Sequence, residues 1–430
     1  MRNLWYPVLP VLFIVIVIVS GCDNDDDDPS SVKIGLIFPL STSDNGKPRH
    51  HAALLAAQHL SEAGYTVQTG VEDSKSDRIA GVEAARRLVD NWNAQVLIGA
   101  TSSGVTIEIA EWVSIHRKIP QISYSSTATK ITNLRDDDFL FRTAPPDNMQ
   151  GRILAQLARN QFGVLPNQFE RVAVLYGEDY SGEGLYRIFA EEFQNRGGII
   201  TYALSHEISS PRDFDEPRSF ETELETLANT GNPQALVAIS LSQDSDVYIK
   251  QALEGGFFSQ FLFVDANRTD TIFKNKEGEI NVHIVKALEG MCGTFPIAPP
   301  NTESLNTFTA SYKAVFGEST ATYLPNTYDA VIIAGLAAYE AKSKGEGVTP
   351  ITIRDHLRSV AGPPGEKVTV GPIELKRALE LLDSGQEIDY MGASGEVDFD
   401  DNGDVETPYE VWCYEGGQIK TRIIVEPEQL

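Results

Sequence analysis

The sequence predicts an α/β fold in which two doubly wound parallel-sheet lobes are joined by hinges. Short aliphatic runs bounded by turn residues alternate with stretches of helical spacing, a pattern typical of βαβ units in a parallel sheet covered on both faces. The alternation breaks at residues 143–146, Thr-Ala-Pro-Pro, and then restarts, so the chain contains two similar halves. A length of 430 residues is enough for two such domains.

The first half is predicted to begin with a buried strand at residues 32–39. In residues 50–63, Ala53, Ala56 and Leu60 share one face of a helix that Gly64 ends. The same reasoning predicts further strands at 65–71, 95–99 and 119–123 and further helices at 79–92 and 105–116. Strands alternating with helices indicate right-handed βαβ connections and a parallel sheet.

The second half repeats this order after residue 146. Its predicted helices cover residues 148–162, 184–196, 219–229 and 244–254, and its predicted strands cover 171–176, 199–202, 235–240 and 261–264. Two α/β halves in series predict a cleft between two lobes.

The N-terminus predicts export and attachment to a membrane. One cation, Arg2, precedes an apolar run at residues 8–19 that has the length of a signal-peptide core. The sequence Val-Ser-Gly-Cys at 19–22 resembles a bacterial lipobox, so residues 1–21 are predicted as a lipoprotein signal peptide and Cys22 as the lipidated residue. Residues 22–31 are predicted as an acidic tether, because a run of like charges cannot pack. The alternative is a plain signal peptide or anchor with an incidental cysteine.

Charge and cysteine content exclude several classes of protein. The net charge of −26 opposes binding to a phosphate backbone, so no nucleic-acid partner is expected. Three cysteines in this length exclude a disulfide-built scaffold. After lipidation only Cys292 and Cys413 remain, both in segments assigned to the second lobe in an oxidising compartment, and the sequence leaves open whether they form a disulfide.

Several short motifs occur together in a recognisable order. They are IGLIFPLS at 34–41, FRT at 141–143, YGEDYSG at 176–182, YDA at 328–330, and GEVDF at 395–399 followed by NGD at 402–404. In order and spacing they resemble type I periplasmic binding proteins, and most closely the leucine/isoleucine/valine-binding group, over residues 32–418. The last two motifs, at residues 395–399 and 402–404, resemble the closing hairpin of that family.

The resemblance also implies how the chain crosses between lobes. It predicts a first lobe of residues 32–144 plus 297–393 and a second lobe of 145–296 plus 394–430. Hinges are then expected near residues 144–146, 295–296 and 392–394, where the backbone would absorb lobe closure.

Hydroxyl side chains follow two neighbouring strands of the first half. Ser102 and Ser103 come after the strand at 95–99, and Ser125, Ser126 and Thr127 come after the strand that ends at residue 123. Ligands of open parallel sheets bind beyond the carboxyl ends of the strands, where hydroxyls and helix N-termini suit a carboxylate. The resemblance implies that these positions hold the carboxylate and help to bind the ammonium of an amino acid. The alternative is that the serines only cap helices.

Three further residues are predicted to contact the ligand. Tyr180, on the second lobe, would close over it, and Asp265, which follows the strand at 261–264, is the anion best placed to meet an ammonium. Tyr328 would line the side of the pocket. The alternatives are a plain surface tyrosine for Tyr180 and a core position for Tyr328.

One loop departs from the family pattern. Residues 41–49 lack the aromatic side chain that amino-acid binders often place there and contain Lys47 and Arg49 instead. This weakens the case for a branched-chain amino acid. A carboxylate without an amine, or a larger solute, remains an alternative.

The near matches to catalytic and metal sites in the sequence are each incomplete. Residues 99–104 have a serine in the wrong register for a nucleophile elbow. His50 and His51 have no partner at metal-ligand spacing. Residues 398–403 resemble the start of a calcium loop, but Tyr409 occupies the position that needs a bidentate glutamate. A hairpin turn at Asn-Gly accounts better for this short sequence. We therefore expect no catalytic residues, no metal and no cofactor.

These observations predict an extracytoplasmic, lipid-anchored solute-binding protein of the bacterial cell envelope, not an enzyme. It would capture an amino acid or similar small carboxylate between two hinged lobes, and the resemblance implies delivery to an ABC permease. The alternative is a sensory or scaffold lipoprotein of the same fold that acts through a protein partner.

Overall fold

The computed structural model describes residues 31–43, 45–209, 218–275, 277–319 and 321–429. The predicted signal peptide, Cys22 and all but the last residue of the predicted tether lie outside the described residues. Within them, no helix combines the length and the apolar character needed to cross a membrane.

Strands and helices alternate through most of the described chain. The strands are β1 (Val32–Phe38), β2 (Val67–Asp73), β3 (Val96–Ile98), β4 (Gln121–Ser123), β5 (Leu140–Arg142), β6 (Arg171–Gly177), β7 (Ile199–His206), β8 (Ala235–Ile239), β9 (Phe261–Phe263), β10 (Cys292–Pro296), β11 (Glu366–Val368), β12 (Ile388–Gly392), β13 (Gly395–Glu396), β14 (Tyr409–Glu415) and β15 (Gln418–Val425). The helices are α1 (Gly46–Ala63), α2 (Arg78–Arg86), α3 (Ser103–Ile109), α4 (Ile115–Arg117), α5 (Thr129–Thr132), α6 (Asp147–Ala158), α7 (Tyr180–Asn195), α8 (Glu221–Asn229), α9 (Ser242–Glu254), α10 (Val282–Ala287), α11 (Glu303–Phe316), α12 (Leu324–Ser343), α13 (Pro350–Ala361) and α14 (Pro372–Asp383).

The first lobe is built on a five-stranded parallel sheet in the order β2-β1-β3-β4-β5. Strand β1 lies between β2 and β3, so the chain reverses its direction of winding there. Such a switch point leaves a crevice beyond the carboxyl ends of the strands. Helix α12 is buried on nearly all sides and packs Ile332 and Leu336 into the same core as Leu36 and Ile98.

The second lobe is built on a seven-stranded sheet in the order β15-β14-β10-β9-β8-β6-β7. Strands β6 to β10 are parallel, whereas β14 runs antiparallel to β10 and β15 antiparallel to β14. Successive residues of β8 face opposite sides: Val237 joins the core on one face, and Leu236 and Ala238 join the core on the other. The predicted class, two α/β lobes with parallel sheets, is confirmed.

Local capping explains where some elements depart from the prediction. Helix α7 begins at Tyr180, earlier than predicted, because the Asp179 carboxylate accepts the Gly182 N–H at 2.7 Å and caps the helix. Strand β7 is longer than predicted, since Ser205 and His206 continue the pairing with β6. The predicted helices at 79–92 and 105–116 contain π-helical turns at Arg87–Asn91 and Ala110–Ser114.

The prediction that residues 395–404 form a hairpin of two strands is wrong. Only Gly395–Glu396 forms strand β13, and a tight turn follows at residues 400–404. The Asp400 carboxylate accepts the backbone N–H groups of Asn402 and Asp404 at 2.7 and 2.9 Å. These side-chain bonds close the turn locally without long flanking strands.

The predicted return to the second lobe near residue 394 requires correction. Val397, Phe399 and Val405 belong to the core of the first lobe. The Asp329 carboxylate also holds the backbone N–H groups of residues 393 and 394 at 2.9 and 2.7 Å. The predicted hinge at 392–394 is therefore wrong, because these residues are fixed within the first lobe.

Cys292 of β10 and Cys413 of β14 are paired in register and joined by a disulfide bond, with their Cα atoms 4.0 Å apart. The bond links two neighbouring strands of the second sheet.

Candidate ligand-binding site

A cavity of about 110 Å³ lies between the two lobes, beyond the carboxyl ends of their strands. The first lobe contributes hydroxyl side chains: Thr101, Ser102, Ser103, Ser125 and Thr127. The carboxylates at the cavity belong to Asp147, Asp179 and Asp265. The aliphatic lining comes from the second lobe: Leu185, Ile208, Ile239, Leu241, Val264 and Ala266. Ser181, Gly182 and Ser240 complete it.

The hydroxyl wall is held by hydrogen bonds between the loops after β3 and β4. Ser125 Oγ donates to the Thr101 carbonyl at 2.8 Å. The Ala128 N–H donates to Ser103 Oγ at 3.2 Å. These bonds hold the two loops together beside the cavity, and hydroxyl groups in such a wall suit the oxygens of a carboxylate.

Asp147 is the most unusual group in the cavity. It begins α6, and its N–H donates to the Thr127 carbonyl at 2.8 Å. Its side chain is buried, and its Oδ2 has no hydrogen-bond partner among the described residues. Burial, together with the nearby Asp265 carboxylate, raises the pKa of Asp147 to about 8. Thr127 hydrogen-bonds the Asp147 side chain and the Arg142 charge favours its ionised form. A buried carboxylate oxygen without a partner is still costly, which makes Oδ2 a candidate for contact with a ligand.

Asp265 lies two residues after the end of β9, beyond the carboxyl end of that strand as predicted. Its carboxylate accepts hydrogen bonds from Gln150 Nε2 and the Tyr323 hydroxyl, each at 3.2 Å. Burial raises the pKa of Asp265, and it also raises the pKa of Asp179, which caps α7. Three carboxylates thus share one space.

No arginine, lysine or histidine is among the described residues that line the cavity. Arg49, from the loop that departs from the family pattern, is buried behind Thr101 and donates to the Thr322 carbonyl at 3.0 Å. Its guanidinium also lies 5.8 Å from the ring centroids of Tyr124 and Tyr323. No described lining residue therefore neutralises the negative charge of the cavity.

Contacts between the lobes border the cavity. Ser181 Oγ donates to Ser103 Oγ at 3.0 Å across the cleft. A Cβ atom at Gly184 of α7 would lie 2.8 Å from Thr129 Oγ1 of α5. The lobes therefore touch directly beside the hydroxyl wall.

The structure brings five predicted residues to the cavity and leaves three outside it. Those at the cavity are Ser102, Ser103, Ser125, Thr127 and Asp265. Ser126 lies outside because its hydroxyl is buried 2.8 Å from Thr106 Oγ1. Tyr180 stacks against cations of the first lobe. Tyr328 is a core residue whose hydroxyl lies 2.8 Å from His59 Nδ1.

Sequence reasoning missed Asp147, Asp179, Ser181 and Ser240. A signal was present for Ser240, which directly follows β8 and therefore lies at a strand's carboxyl end. Asp147 was overlooked because the helix was predicted to begin one residue later. Within the described ranges, no group of three or more histidine, cysteine, aspartate or glutamate side chains is placed to hold a metal ion.

The family model described as the receptor family ligand binding region matches residues 48–417. The chain belongs to this family. It is 24% identical over 389 residues to the chemotactic signal transduction system substrate-binding protein BasB of Halobacterium salinarum, covering 85% of this chain and 83% of that protein. It is 28% identical over 194 residues to human metabotropic glutamate receptor 8, covering 45% of this chain and 18% of the receptor.

Solved structures confirm the fold. The leucine-binding protein LivK of Thermotoga maritima has a TM-score of 0.72 at 21% identity, covering 93% of this chain and all of that chain. LivJ of Streptococcus pneumoniae in complex with isoleucine has a TM-score of 0.70 at 17% identity, covering 92% of this chain and all of that chain. A solute-binding protein of Rhodopseudomonas palustris in complex with 3,4-dihydroxybenzoic acid has a TM-score of 0.68 at 17% identity, covering 93% of this chain and all of that chain. The resemblance to type I periplasmic binding proteins is thereby confirmed.

Proposed function

We propose that this protein captures an α-amino acid in the cavity between its lobes. The observation that carries the proposal is the buried Asp147 Oδ2, which has no hydrogen-bond partner among the described residues and lies in a cavity whose described lining has no basic side chain. A ligand ammonium would supply the missing charge and hydrogen bonds. Asp265, whose charge acts on Asp147, would share that ammonium.

The opposite wall complements the other groups of an amino acid. Ser102 and Ser103 would donate hydrogen bonds to the ligand carboxylate, supported by the positive end of the helix that begins at Ser103. The aliphatic wall of the second lobe would receive the side chain. A carboxylate without an amine would leave Asp147 unpaired, and an amine without a carboxylate would leave the hydroxyl wall unused.

Isothermal titration calorimetry and thermal unfolding of the full chain in detergent test the proposal. Alanine is expected to bind, whereas propionate and ethylamine, which lack its amine and its carboxylate respectively, are not. At about 100 times its dissociation constant the ligand should add about 2.7 kcal/mol of stability, or a few degrees in Tm. Asp147→Asn should weaken binding at least about tenfold, because a charge-assisted bond contributes about 1.5–3 kcal/mol.

The exposed Asp90, paired at the surface with Arg117, provides the control. Asp90→Asn also removes one negative charge but should leave the affinity unchanged. Equal binding of alanine and propionate would contradict capture of an amino acid. We also propose binding without turnover, so the bound amino acid should be recovered chemically unchanged.

We further propose that the protein acts outside the cytoplasm as a lipoprotein anchored through Cys22. Mass spectrometry of the mature N-terminal peptide should find an acylated Cys22. Cys22→Ser should release the protein from the membrane fraction, and a wild-type protein that carries no acyl group would contradict the anchor.

Delivery of the ligand to an ABC permease is proposed from the family resemblance. The similarity to BasB, named as a chemotactic signal transduction protein, favours a second candidate in which the liganded form signals to a receptor. Deleting the gene separates the two functions. Loss of uptake of labelled ligand supports transport, whereas retained uptake with lost chemotaxis toward the ligand supports sensing.

A further inference from the structure

We propose that the cavity selects amino acids with a side chain of one or two carbon atoms, with Leu241 and Ile208 setting the upper limit of size. This inference rests on the proposed function, capture of an α-amino acid, and specifies which size of amino acid is captured. It differs from a general preference for branched-chain amino acids, because leucine would be too large.

The size of the cavity is the first argument. Its volume is about 110 Å³, whereas a protein cavity of about 150 Å³ holds one benzene molecule and pockets for drug-sized ligands are about 300–1,000 Å³. Alanine has as many non-hydrogen atoms as benzene, and leucine has three more. The cavity is smaller than the one that holds benzene, so alanine lies near its upper limit of size and leucine lies beyond it.

Contacts between the lobes limit the cavity on the side where α7 meets the first lobe. The Ser181–Ser103 hydrogen bond, at 3.0 Å, crosses the cleft directly at the cavity. Helix α7 also approaches Thr129 so closely at Gly184 that no side chain fits between them. A larger ligand would hold the lobes apart and lose these contacts, so its size would reduce its affinity.

The lining on the second lobe has little freedom to move away. Leu185 and Ile239 are 3% and 2% exposed and belong to the packed core of that lobe. Closely packed interiors accommodate additional atoms only at a cost. Leu241 and Ile208 are partly exposed and line the cavity without belonging to that core, so they can be shortened with the least damage to folding.

The chemistry of the lining, in addition to the size of the cavity, restricts which side chain a ligand can carry. Ser240 Oγ lies 2.8 Å from His206 Nε2, so this hydroxyl already has a partner. With three carboxylates and no basic group among the described lining residues, the cavity opposes a second carboxylate on the ligand. A small apolar side chain is therefore favoured over an acidic one.

Calorimetric titration of the full chain with glycine, alanine, 2-aminobutyrate, valine, leucine, phenylalanine and glutamate tests the inference. Alanine or 2-aminobutyrate should bind most tightly, and leucine at least about tenfold more weakly, the range expected when a pocket discriminates by size. Leucine, phenylalanine or glutamate binding as tightly as alanine would overturn the size limit while leaving amino-acid capture intact. Failure of every amino acid to bind would overturn both proposals.

Leu241→Ala and Ile208→Ala test the residues themselves. Each should increase the affinity for leucine relative to alanine by about tenfold or more, because each replacement removes methyl groups that restrict the ligand. The control is Ile423→Ala in β15, a partly buried aliphatic residue packed on the other end of the second sheet. It should leave the leucine-to-alanine ratio unchanged. An unchanged ratio in both cavity variants, with thermal unfolding showing them folded, would overturn the assignment.

Discussion

The Lys130 ammonium nitrogen lies 3.8 Å from the centroid of the Tyr180 ring, and the two residues belong to different lobes. The Arg78 guanidinium, also from the first lobe, lies 5.1 Å from the same ring. Tyr180 was expected to close over the ligand, but the structure places its ring against cations outside the cavity. The contact thus joins lobe to lobe and can stabilise the closed form directly.

Tyr180→Leu should weaken ligand binding by a few fold to about 30-fold, because cation–π contacts contribute about 0.5–2 kcal/mol. Tyr180→Phe keeps the ring and should retain most of the affinity. Small-angle X-ray scattering with saturating ligand should show a larger fraction of open protein for the leucine variant. Equal losses in both variants would indicate that the hydroxyl group, rather than the cation–π contact, is responsible.

Gly184→Ala should weaken ligand binding without reducing the stability of the ligand-free protein. The new Cβ would lie 2.8 Å from Thr129 Oγ1 of the other lobe, so the closed form is strained. In the open form the same change should stabilise helix α7 by about 0.5–1 kcal/mol. Calorimetry measures the affinity and thermal unfolding the stability. Adding Thr129→Ala should restore affinity, and failure to do so would contradict a steric cause.

Asp147 should make stability depend on pH. Its pKa is about 8 in the folded protein against 3.8 as the ordinary value, so between these values the folded chain holds a proton that the unfolded chain has released. The free energy of unfolding should therefore fall with rising pH across this interval, by up to about 1.4 kcal/mol per unit. Asp147→Asn should reduce this slope, as measured by denaturant unfolding at a series of pH values. The part that remains comes from other carboxyl groups with raised pKa values, among them Asp179 and Asp265.

The same proton should affect ligand binding. An ammonium ligand favours the ionised form of Asp147, so binding below pH 8 should release a proton and weaken as the pH falls. Asp265 and Asp179, whose pKa values are also raised, face the same space and contribute in the same direction. Calorimetry in buffers of different ionisation enthalpy measures the protons released. Binding with no proton release at neutral pH would contradict the prediction.

Asp404→Asn should destabilise the protein by about 3–5 kcal/mol, because it leaves a buried guanidinium without its counter-charge. Arg142 is fully buried, and its Nε and Nη2 donate to the two Asp404 carboxylate oxygens at 2.6 and 2.8 Å. The half-exposed Arg358–Asp138 pair is the control. Asp138→Asn should cost no more than about 1 kcal/mol in denaturant unfolding, and similar costs for both variants would contradict the argument.

Local pattern and the position of strand ends predicted a large part of the fold and of the site. Ser102, Ser103, Ser125, Thr127 and Asp265 all follow strands, and the carboxyl ends of parallel strands necessarily meet at one edge of a sheet. Sequence spacing was sufficient for these five because backbone topology alone brings them together.

The tertiary structure decided features that the spacing of residues along the sequence does not determine. Tyr328 and Ser126 were predicted to contact the ligand, but packing turns Tyr328 into the core toward His59 and Ser126 toward Thr106. The placement of residues 397–405 in the first lobe depends on the Arg142–Asp404 ion pair, whose members are 262 residues apart. The sequence by itself determined the alternation of strands and helices and the edge where a ligand would lie, because these depend on local hydrophobic periodicity. Side-chain direction, the burial of Asp147 Oδ2 without a hydrogen-bond partner among the described residues, and the size of the cavity arise only from contacts between distant segments.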